Sequence, residues 1–326
     1  MDYLVQKPKI EFYKTRTFSE KLSDTINFLR ECWKPMLKYF LYLMLPCSIV
    51  LAFFMNHFWN GYMSLLFALE KMSKPFDGSE ALSQVINVLL LVIVYLAAYI
   101  LLIALIFALV RLYRRREDRL KNLTDDELKP ELMWCLRRAT ILTLACMGIG
   151  LVVLLVIVGI IALIVSINAG LGLTVAALIY CGVLVIAMPL LLMTPIYMME
   201  DDINVIEAIL KAFHLGFPTW GGIFAVYFVI GIIASIIQTV TMGPWYILFL
   251  IKTALTVSGN FDGSFASSIF YTIGEYLTCV LQCLGMLLSL VITNVGILIQ
   301  YGHAADLIDG VGVAQKIEKF DELDNF

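Results

Sequence analysis

The sequence is poor in charged residues and in the side chains that most enzymes use for chemistry. Charged residues make up 15% of its 326 positions, and the only histidines are His57, His214 and His303. It contains no His-Glu-x-x-His, Gly-x-Ser-x-Gly or Cys-x-x-Cys motif and no glycine-rich phosphate loop. Metal-dependent or histidine-based catalysis therefore has few residues to use. We predict a non-enzymatic protein with no catalytic residue, no cofactor and no metal site.

The seven cysteines do not indicate a disulfide framework. None of them lies in a predicted outer loop, which disfavours structural disulfides. Cys279 and Cys283 are four residues apart and share a helix face, but no histidine lies near them in the chain. This spacing favours packing over metal binding.

What the sequence has in abundance is apolar residues, at 61% of the chain, with a mean hydropathy of +0.89. A membrane-spanning helix needs about 20 mostly apolar residues to cross a hydrocarbon core of about 30 Å. Six stretches meet this requirement, near residues 37–57, 85–110, 139–167, 171–198, 220–240 and 276–300. Backbone polar groups in lipid must be satisfied within the segment, and the runs do not alternate as in a β-barrel. The prediction is an all-α, polytopic transmembrane helical bundle of about six spans in three hairpins.

The basic residues are concentrated in two places, residues 1–38 and the connection 111–138 that follows the second span. With six spans, both groups fall on the same side of the membrane. The positive-inside rule then predicts that both termini are cytoplasmic. The cluster Arg114–Arg116 could also attract anionic lipid or nucleic acid, but beside a span we interpret it as a determinant of topology. We expect membrane lipids as partners, and no nucleic acid.

Each predicted hairpin begins with the same local pattern. Thr17-x-x-Glu20, Thr124-x-x-Glu127 and Asn204-x-x-Glu207 are capping boxes, in which a side chain at each end satisfies a free backbone N–H of the first turn. Each capping box is followed by apolar residues at a spacing of three or four. The three stripes are Phe18, Leu22, Ile26, Leu29, Trp33 and Leu37; Leu128, Leu132, Cys135 and Ala139; Ile206, Leu210, Phe213 and Phe217. We predict a cytoplasmic amphipathic helix, lying in the membrane interface, ahead of each hairpin.

The first and third hairpins resemble each other further, which indicates an internal duplication. Trp33 lies sixteen residues after Thr17, and Trp220 lies sixteen residues after Asn204. The segments 76–83 and 261–268 agree at six of eight positions, including Asp77 and Asp262. These two aspartates could form a carboxylate pair, but an Asp-Gly turn followed by a serine helix cap is the stronger interpretation.

This repeat divides the single membrane domain, residues 1–326, into four parts. They are a first hairpin unit (1–116), a middle unit (117–199), a third unit that repeats the first (200–305), and a short cytoplasmic tail (306–326). The apolar segment 245–257 aligns with 59–72. We interpret both segments as outer interfacial helices or re-entrant pieces, and the alternative of a seventh span stays open.

The polar residues inside the predicted spans are the amides Gln238, Gln282 and Asn294. Interhelical hydrogen bonding is the simpler explanation, and a midplane site for a solute is the alternative. The acidic run 200–202 follows the fourth span. We predict that it stabilises the start of the next helix and pairs with Arg114–Arg116.

The stretch 204–215 followed by Trp220, with Ala208, Phe213 and Leu215 in register, resembles a pattern in the membrane domain found beside some glycerophosphodiester phosphodiesterases. Related uncharacterised bacterial inner-membrane proteins share this pattern, and residues 25–34 resemble the surface helix of that family. Ala212 stands where the family commonly has serine, and no phosphodiesterase domain is present. The resemblance implies a helical bundle in the cytoplasmic membrane of a bacterium, and it carries no hydrolase activity.

Two functions follow as hypotheses. The first is an accessory or scaffold protein that binds lipids or membrane protein partners through its interfacial helices. The alternative is a transporter of small molecules or lipids, built on parallel repeats and lined by Gln238, Gln282 and Asn294.

Overall fold

The computed structural model describes residues 9–71, 78–258, 268–314 and 317. In this part of the chain every long regular element is a helix. The helices are α1 (Phe18–Lys71), α2 (Gly78–Arg115), α3 (Asp125–Ile167), α4 (Ala169–Leu190), α5 (Met193–Met199), α6 (Val205–Gly216), α7 (Trp220–Ser258) and α8 (Ile269–Asp309).

Six segments of the described residues are long and apolar enough to cross a bilayer. They belong to α1, α2, α3, α4 together with α5, α7 and α8. The predicted all-α, multi-pass membrane fold is therefore confirmed. α3 alone has 43 residues, about 65 Å of helix, which is twice the thickness of the hydrocarbon core. Its charged first turns therefore extend beyond the hydrocarbon.

The predicted capping boxes are present at all three places. At α1, the backbone N–H of Thr17 donates to Glu20 Oε2 over 2.7 Å. At α6, the N–H of Asn204 donates to Glu207 Oε2 over 3.0 Å, and Asn204 Oδ1 accepts from the N–H of Glu207. At α3, the N–H of Thr124 donates to Glu127 Oε2 over 3.4 Å.

The structure differs from the sequence analysis in how the helices continue beyond these starts. Of the three helices that begin with a capping box, α6 is a separate short helix, whereas α1 and α3 continue unbroken into the apolar runs. The segment 245–257 likewise continues α7 past Pro244, so it is neither a separate interfacial piece nor a seventh span. The reason is that the apolar periodicity stays in helical phase, and an internal proline removes one hydrogen bond without stopping the chain.

The chain divides into two compact units. The first, unit 1, comprises the described residues of 1–35, 103–230 and 292–326, and unit 2 comprises those of 36–102 and 231–291. In unit 1, residues 103–113 of α2 and 295–302 of α8 are buried on almost all sides. A helix that is apolar all round is buried in this way, whereas the far halves of α3 and α4 expose nearly every large apolar side chain.

A single residue, Asn168, connects α3 to α4. Its N–H donates to the carbonyl of Ile164, and its Oδ1 accepts from the N–H of Leu171 over 3.1 Å. One residue therefore ends one helix through its backbone N–H and starts the next through its side chain. Gly172 is needed beside this turn, because a Cβ at this position would lie 3.0 Å from the Cα and 3.1 Å from the backbone nitrogen of Val165.

We expect the substitution Gly172→Ala to destabilise the protein by about 1–3 kcal/mol, because backbone atoms cannot move aside as a flexible side chain can. The matched control is Gly182→Ala, also on α4, where a Cβ has nothing within 4 Å. Thermal unfolding in detergent should show a lower midpoint for Gly172→Ala. The midpoint for Gly182→Ala should be unchanged or higher, since alanine favours helix over glycine. Equal midpoints for the two variants would contradict the close approach.

Candidate functional site

The densest polar cluster of the described residues lies in unit 1, around Arg111 near the end of α2. This guanidinium, 7% exposed, pairs with Glu131 of α3 and with Asp201, to whose Oδ1 it donates over 2.8 Å. Its third partner is the carbonyl of Met198, 3.4 Å away. The ring of Trp134 lies 4.0 Å from the guanidinium carbon. A desolvated cation is stabilised here by two carboxylates and an aromatic face.

Arg138, on α3, satisfies the backbone where α5 ends. Its guanidinium donates to four carbonyl oxygens, those of Tyr197, Glu200, Asp201 and Ile203, at 2.6, 2.8, 2.6 and 3.3 Å respectively. The end of a helix leaves carbonyls without intrahelical partners, and the five-donor fork of arginine suits such a cluster. Arg138 also lies over the ring of Tyr197, at 4.2 Å.

Glu200, the first residue after α5, connects this cluster to α6 and α8. Its Oε1 accepts from the hydroxyl of Tyr301 over 2.6 Å, and its Oε2 pairs with Lys211 over 2.9 Å. Asp309 at the end of α8 accepts from His214 of α6 at 3.2 Å. The loop 200–204 is thus attached by ion pairs and hydrogen bonds to α2, α3, α6 and α8.

Two open cavities flank Asp201. One, of about 310 Å³, is lined by Arg111, Arg114, Arg115, Met199 and Asp201. The other, of about 430 Å³, is lined by Glu200, Asp201, Asp202, Ile203, Glu207 and Lys211. The smaller cavity presents three guanidinium groups against one carboxylate, so it favours an anionic ligand. The larger is mainly acidic.

The predicted partner of the acidic run was wrong by about one helical turn. Asp201 pairs with Arg111, whereas Arg115 pairs with Glu131, and Arg116 with Asp118 and Glu127. The reason is that Arg111 lies on the buried face of α2 while the later arginines lie around its end. Arg114 has no carboxylate within 4 Å among the described residues, and its guanidinium lies 5.2 Å from the centre of the Tyr13 ring.

The segment ahead of α1, residues 9–17, is here called the strap, and it packs onto the same end of unit 1. Lys9 Nζ donates to the carbonyls of Arg114 and Arg116, each over 2.9 Å, and so caps the end of α2. Phe12 forms edge contacts with the rings of Phe28 and Tyr113. The strap also bonds to α8, where the N–H of Thr15 donates to Asp306 Oδ2 over 2.7 Å and the N–H of Arg16 donates to His303 Nδ1 over 2.9 Å.

The apolar stripes face in different directions. On α1, Ile26 and Trp33 are exposed, whereas Phe28 and Cys32 on the other face are buried. On α6, Ile206 and Leu210 are 68% and 63% exposed, whereas the small residues Ala208 and Ala212 face the protein. The stripe at the start of α3 is different, because Leu128, Cys135 and Ala139 are buried. Its apolar face packs inside unit 1, so the expectation of an outward stripe there was wrong.

The predicted intramembrane amides have different environments. Gln238 is exposed, and Gln282 is half-buried with its Oε1 buried and lacking a hydrogen-bond partner among the described residues. In unit 2, no hydrogen bond joins these two described side chains. Asn294, in unit 1, is half-buried and has a partner.

The four repeat-signature positions could be followed only in part. Trp33 is exposed on α1. Trp220 begins α7, donates from Nε1 to the carbonyl of Val185 over 2.9 Å, and stacks on Phe224. Asp77 and Asp262 lie outside the described residues. Over the part of the chain that the structure covers, no three His, Cys, Asp or Glu side chains are placed to hold a metal ion.

Sequence reasoning missed the central role of Arg111 and Arg138. The available signal was their position, since each arginine lies on the flank of an apolar run instead of in a loop. Comparison of the chain with protein-family models, with curated proteins and with solved structures gives no match.

The Asp201–Arg111 pair makes stability depend on pH. The hydrogen bond from Arg111, together with its charge, holds the pKa of the Asp201 carboxyl below its ordinary value of 3.8. A carboxyl whose pKa is lowered on folding contributes stability above its unfolded pKa and loses it as the pH falls through the folded pKa.

We therefore expect Asp201→Asn to lower the melting midpoint at pH 7, and the difference from the native protein to shrink as the pH falls below about 4. Asp202→Asn is the matched control, because Asp202 is exposed in the same loop and forms no ion pair among the described residues. Thermal unfolding between pH 3 and pH 7 measures both variants. A loss that is independent of pH would show that the ion pair is not the cause.

Proposed function

We propose that this chain is a non-enzymatic scaffold or accessory protein of the bacterial cytoplasmic membrane that holds anionic lipid at one membrane surface. The main observation behind this proposal is that the apolar stripes of α1 and α6 point away from unit 1, which also contains the arginine-lined cavity. An exposed apolar helix face beside basic groups is the pattern of a helix that lies in a lipid interface.

The lipid proposal rests on the contrast between the two faces of α6. The inward face carries Ala208, Ala212, Leu215 and Gly216, and its small residues allow close packing on α4; a Cβ at Gly216 would lie 2.6 Å from the Cα of Pro189. The outward face carries Ile206, Leu210 and the stacked rings of Phe213 and Phe217. In water, exposing these side chains would cost free energy, whereas in the acyl boundary of a bilayer it would be favourable.

The arginine-lined cavity supplies positive charge that would attract an anionic headgroup. Arg114 has no acidic partner in the described structure, and the neighbouring Arg115 is 59% exposed at its side chain. An anionic lipid headgroup would accept from these guanidinium groups while its acyl chains contact the apolar stripes. The concentration of basic residues at this end also supports a cytoplasmic position for both termini.

The experiment places an environment-sensitive fluorophore on the apolar stripe of α6, or on the loop ahead of this helix, in the full-length protein reconstituted in lipid nanodiscs. A cysteine at Leu210 should give blue-shifted emission and strong quenching by lipids with a spin label near the headgroup. A cysteine at Asp202, an exposed polar position of the loop, should be quenched much less. Both variants also carry Cys181→Ser, which removes the exposed native cysteine. Labelling of the remaining native cysteines is measured in the Cys181→Ser protein and subtracted.

Equal quenching at the two positions, or water-like emission at Leu210, would contradict the interfacial position of α6. The lipid preference is tested with Arg114→Gln. This substitution should reduce the number of phosphatidylglycerol molecules that co-purify, counted by native mass spectrometry, while Lys34→Gln on exposed α1 should not.

Transport is the second candidate, and unit 2 supplies a specific observation for it. Four of its buried polar atoms have no hydrogen-bond partner in the described structure: Ser48 Oγ, Asn56 Oδ1, Trp245 Nε1 and Gln282 Oε1. Glu275, 3% exposed, pairs with Lys252 over 3.1 Å, and Lys252 also donates to Asn60. Buried ionisable and unpartnered polar groups in a span often mark a substrate path.

If unit 2 moves lipid, purified protein in liposomes should speed the exchange of a fluorescent phospholipid between leaflets, measured by its reduction with dithionite. Gln282→Leu should lower this rate several-fold, because it removes one of the buried polar groups of unit 2 that lack a protein partner in the described structure. Gln238→Leu is the control, because Gln238 is exposed. A wild-type rate equal to that of protein-free liposomes would remove the lipid-transport candidate.

A further inference from the structure

Three polar atoms in unit 1 surround one point next to Gly222, near the start of α7. A Cβ built on Gly222 would lie 3.3 Å from Gln300 Nε2, 3.5 Å from Lys21 Nζ and 3.8 Å from Gln300 Oε1. Lys21 belongs to the first turn of α1, and Gln300 to α8. Three helices thus bring an ammonium and an amide to one place, and glycine is the residue that leaves this place free of a side chain.

Both side chains are buried and lack protein partners. Lys21 is 5% exposed and has no carboxylate within 4 Å among the described residues. Gln300 is 1% exposed, and neither its Nε2 nor its Oε1 has a hydrogen-bond partner in the part of the chain that the structure describes. Leaving such groups unpaired is costly, and most of all for the ammonium.

The surrounding groups do not neutralise Lys21. The nearby charge in the strap is Arg16, which is itself positive, and the carboxylate of Asp24 is already paired with Arg16 over 2.7 Å. The imidazole of His303, one turn after Gln300, accepts from the N–H of Arg16. Water could satisfy the hydrogen bonds of Lys21 and Gln300, but it would not balance the charge.

We propose that Lys21, Gln300 and the space beside Gly222 form a binding site for a protonated phosphate group. The two donors, the ammonium and the amide N–H, need acceptor oxygens that carry negative charge. The amide presents one acceptor as well, whichever way it is turned, so a ligand that also donates one hydrogen bond fits the site best. A phosphomonoester, whose second pKa is about 6, still carries this proton in part at pH 6.5, and inorganic phosphate retains at least one proton at neutral pH. Both ligands also carry negative charge on acceptor oxygens. This site is separate from the arginine-lined cavity and does not depend on the proposed scaffold function.

The phosphate has two possible sources, which share this chemistry. It could be free inorganic phosphate, or the headgroup of phosphatidic acid entering beside the first turn of α1. Two anions serve as controls because they lack the donor. Sulfate is fully ionised at neutral pH, and phosphatidylmethanol is a phosphodiester lipid with neither a titratable proton in this range nor a headgroup hydroxyl.

The experiment is isothermal titration calorimetry of the full-length protein in a nonionic detergent and a phosphate-free buffer at pH 6.5. One arm adds inorganic phosphate, and the other adds phosphatidic acid in mixed micelles. We expect saturable binding of one molecule in one of the two arms, and that arm identifies the source of the phosphate. The control anion of that arm, sulfate or the phosphodiester lipid, should bind more weakly by about tenfold or more. Lys21→Met and Gln300→Leu should each weaken binding by about tenfold or more, and Lys14→Met, at an exposed position of the strap, should have no effect.

A stability measurement separates loss of the site from loss of the fold. Lys21→Met removes a buried, unpaired charge, so in phosphate-free detergent its melting midpoint should equal or exceed that of the native protein, and phosphate should no longer raise it. The proposal is overturned if neither arm shows saturable binding, or if binding survives Lys21→Met and Gln300→Leu unchanged. It is also overturned if Lys21→Met melts lower than the native protein in phosphate-free detergent, because the ammonium would then already have a stabilising partner.

Discussion

The structure of unit 1 depends on the hydrogen bonds that Arg138 donates to backbone carbonyls at the end of α5 and in the loop that follows. The chain leaves a membrane-spanning segment at Met199 and turns before α6, so the last carbonyls lose their helical partners. One guanidinium donates to the carbonyls of four residues between 197 and 203. Lysine could not replace it, because three donors on a flexible stem cannot reach four carbonyls arranged around a planar fork.

The positions of the neighbouring charges follow from this interaction. Once the loop is fixed, Asp201 is directed to Arg111, and Glu200 to Tyr301 and Lys211. These bonds join the loop to α2, α6 and α8, so a local backbone requirement becomes the arrangement of several helices. The arginine-lined and acidic cavities are consequences of the same turn, because both share Asp201 as a wall.

Much of the fold was predictable, because local sequence determines it. The apolar runs and the capping boxes at Thr17, Thr124 and Asn204 appear where expected, since chain length in lipid and free N–H groups impose them directly. The direction of an amphipathic face was not predictable in the same way. The stripe of α6 faces outward and that of α3 inward, although both have the same spacing, because packing partners far along the chain decide which face is covered. Single polar residues such as Lys21 and Gln300 gave no signal at all, since burial is not visible in a sequence. The internal repeat and the family resemblance stay predictions.

The strap links residues that are far apart in the sequence, and this has a consequence for how the protein is made. Thr15 and Arg16 hydrogen-bond to Asp306 and His303, 291 and 287 positions later. A Cβ at Gly302 would collide with the carbonyl of Phe12, so this contact is close-packed as well. Membrane helices are inserted in the order of synthesis, yet the strap has no docking surface on α8 until α8 has left the ribosome. Unit 1 must therefore complete its assembly late, and until then the exposed backbone of the strap and the unpaired polar groups of α8 are available to chaperones and proteases.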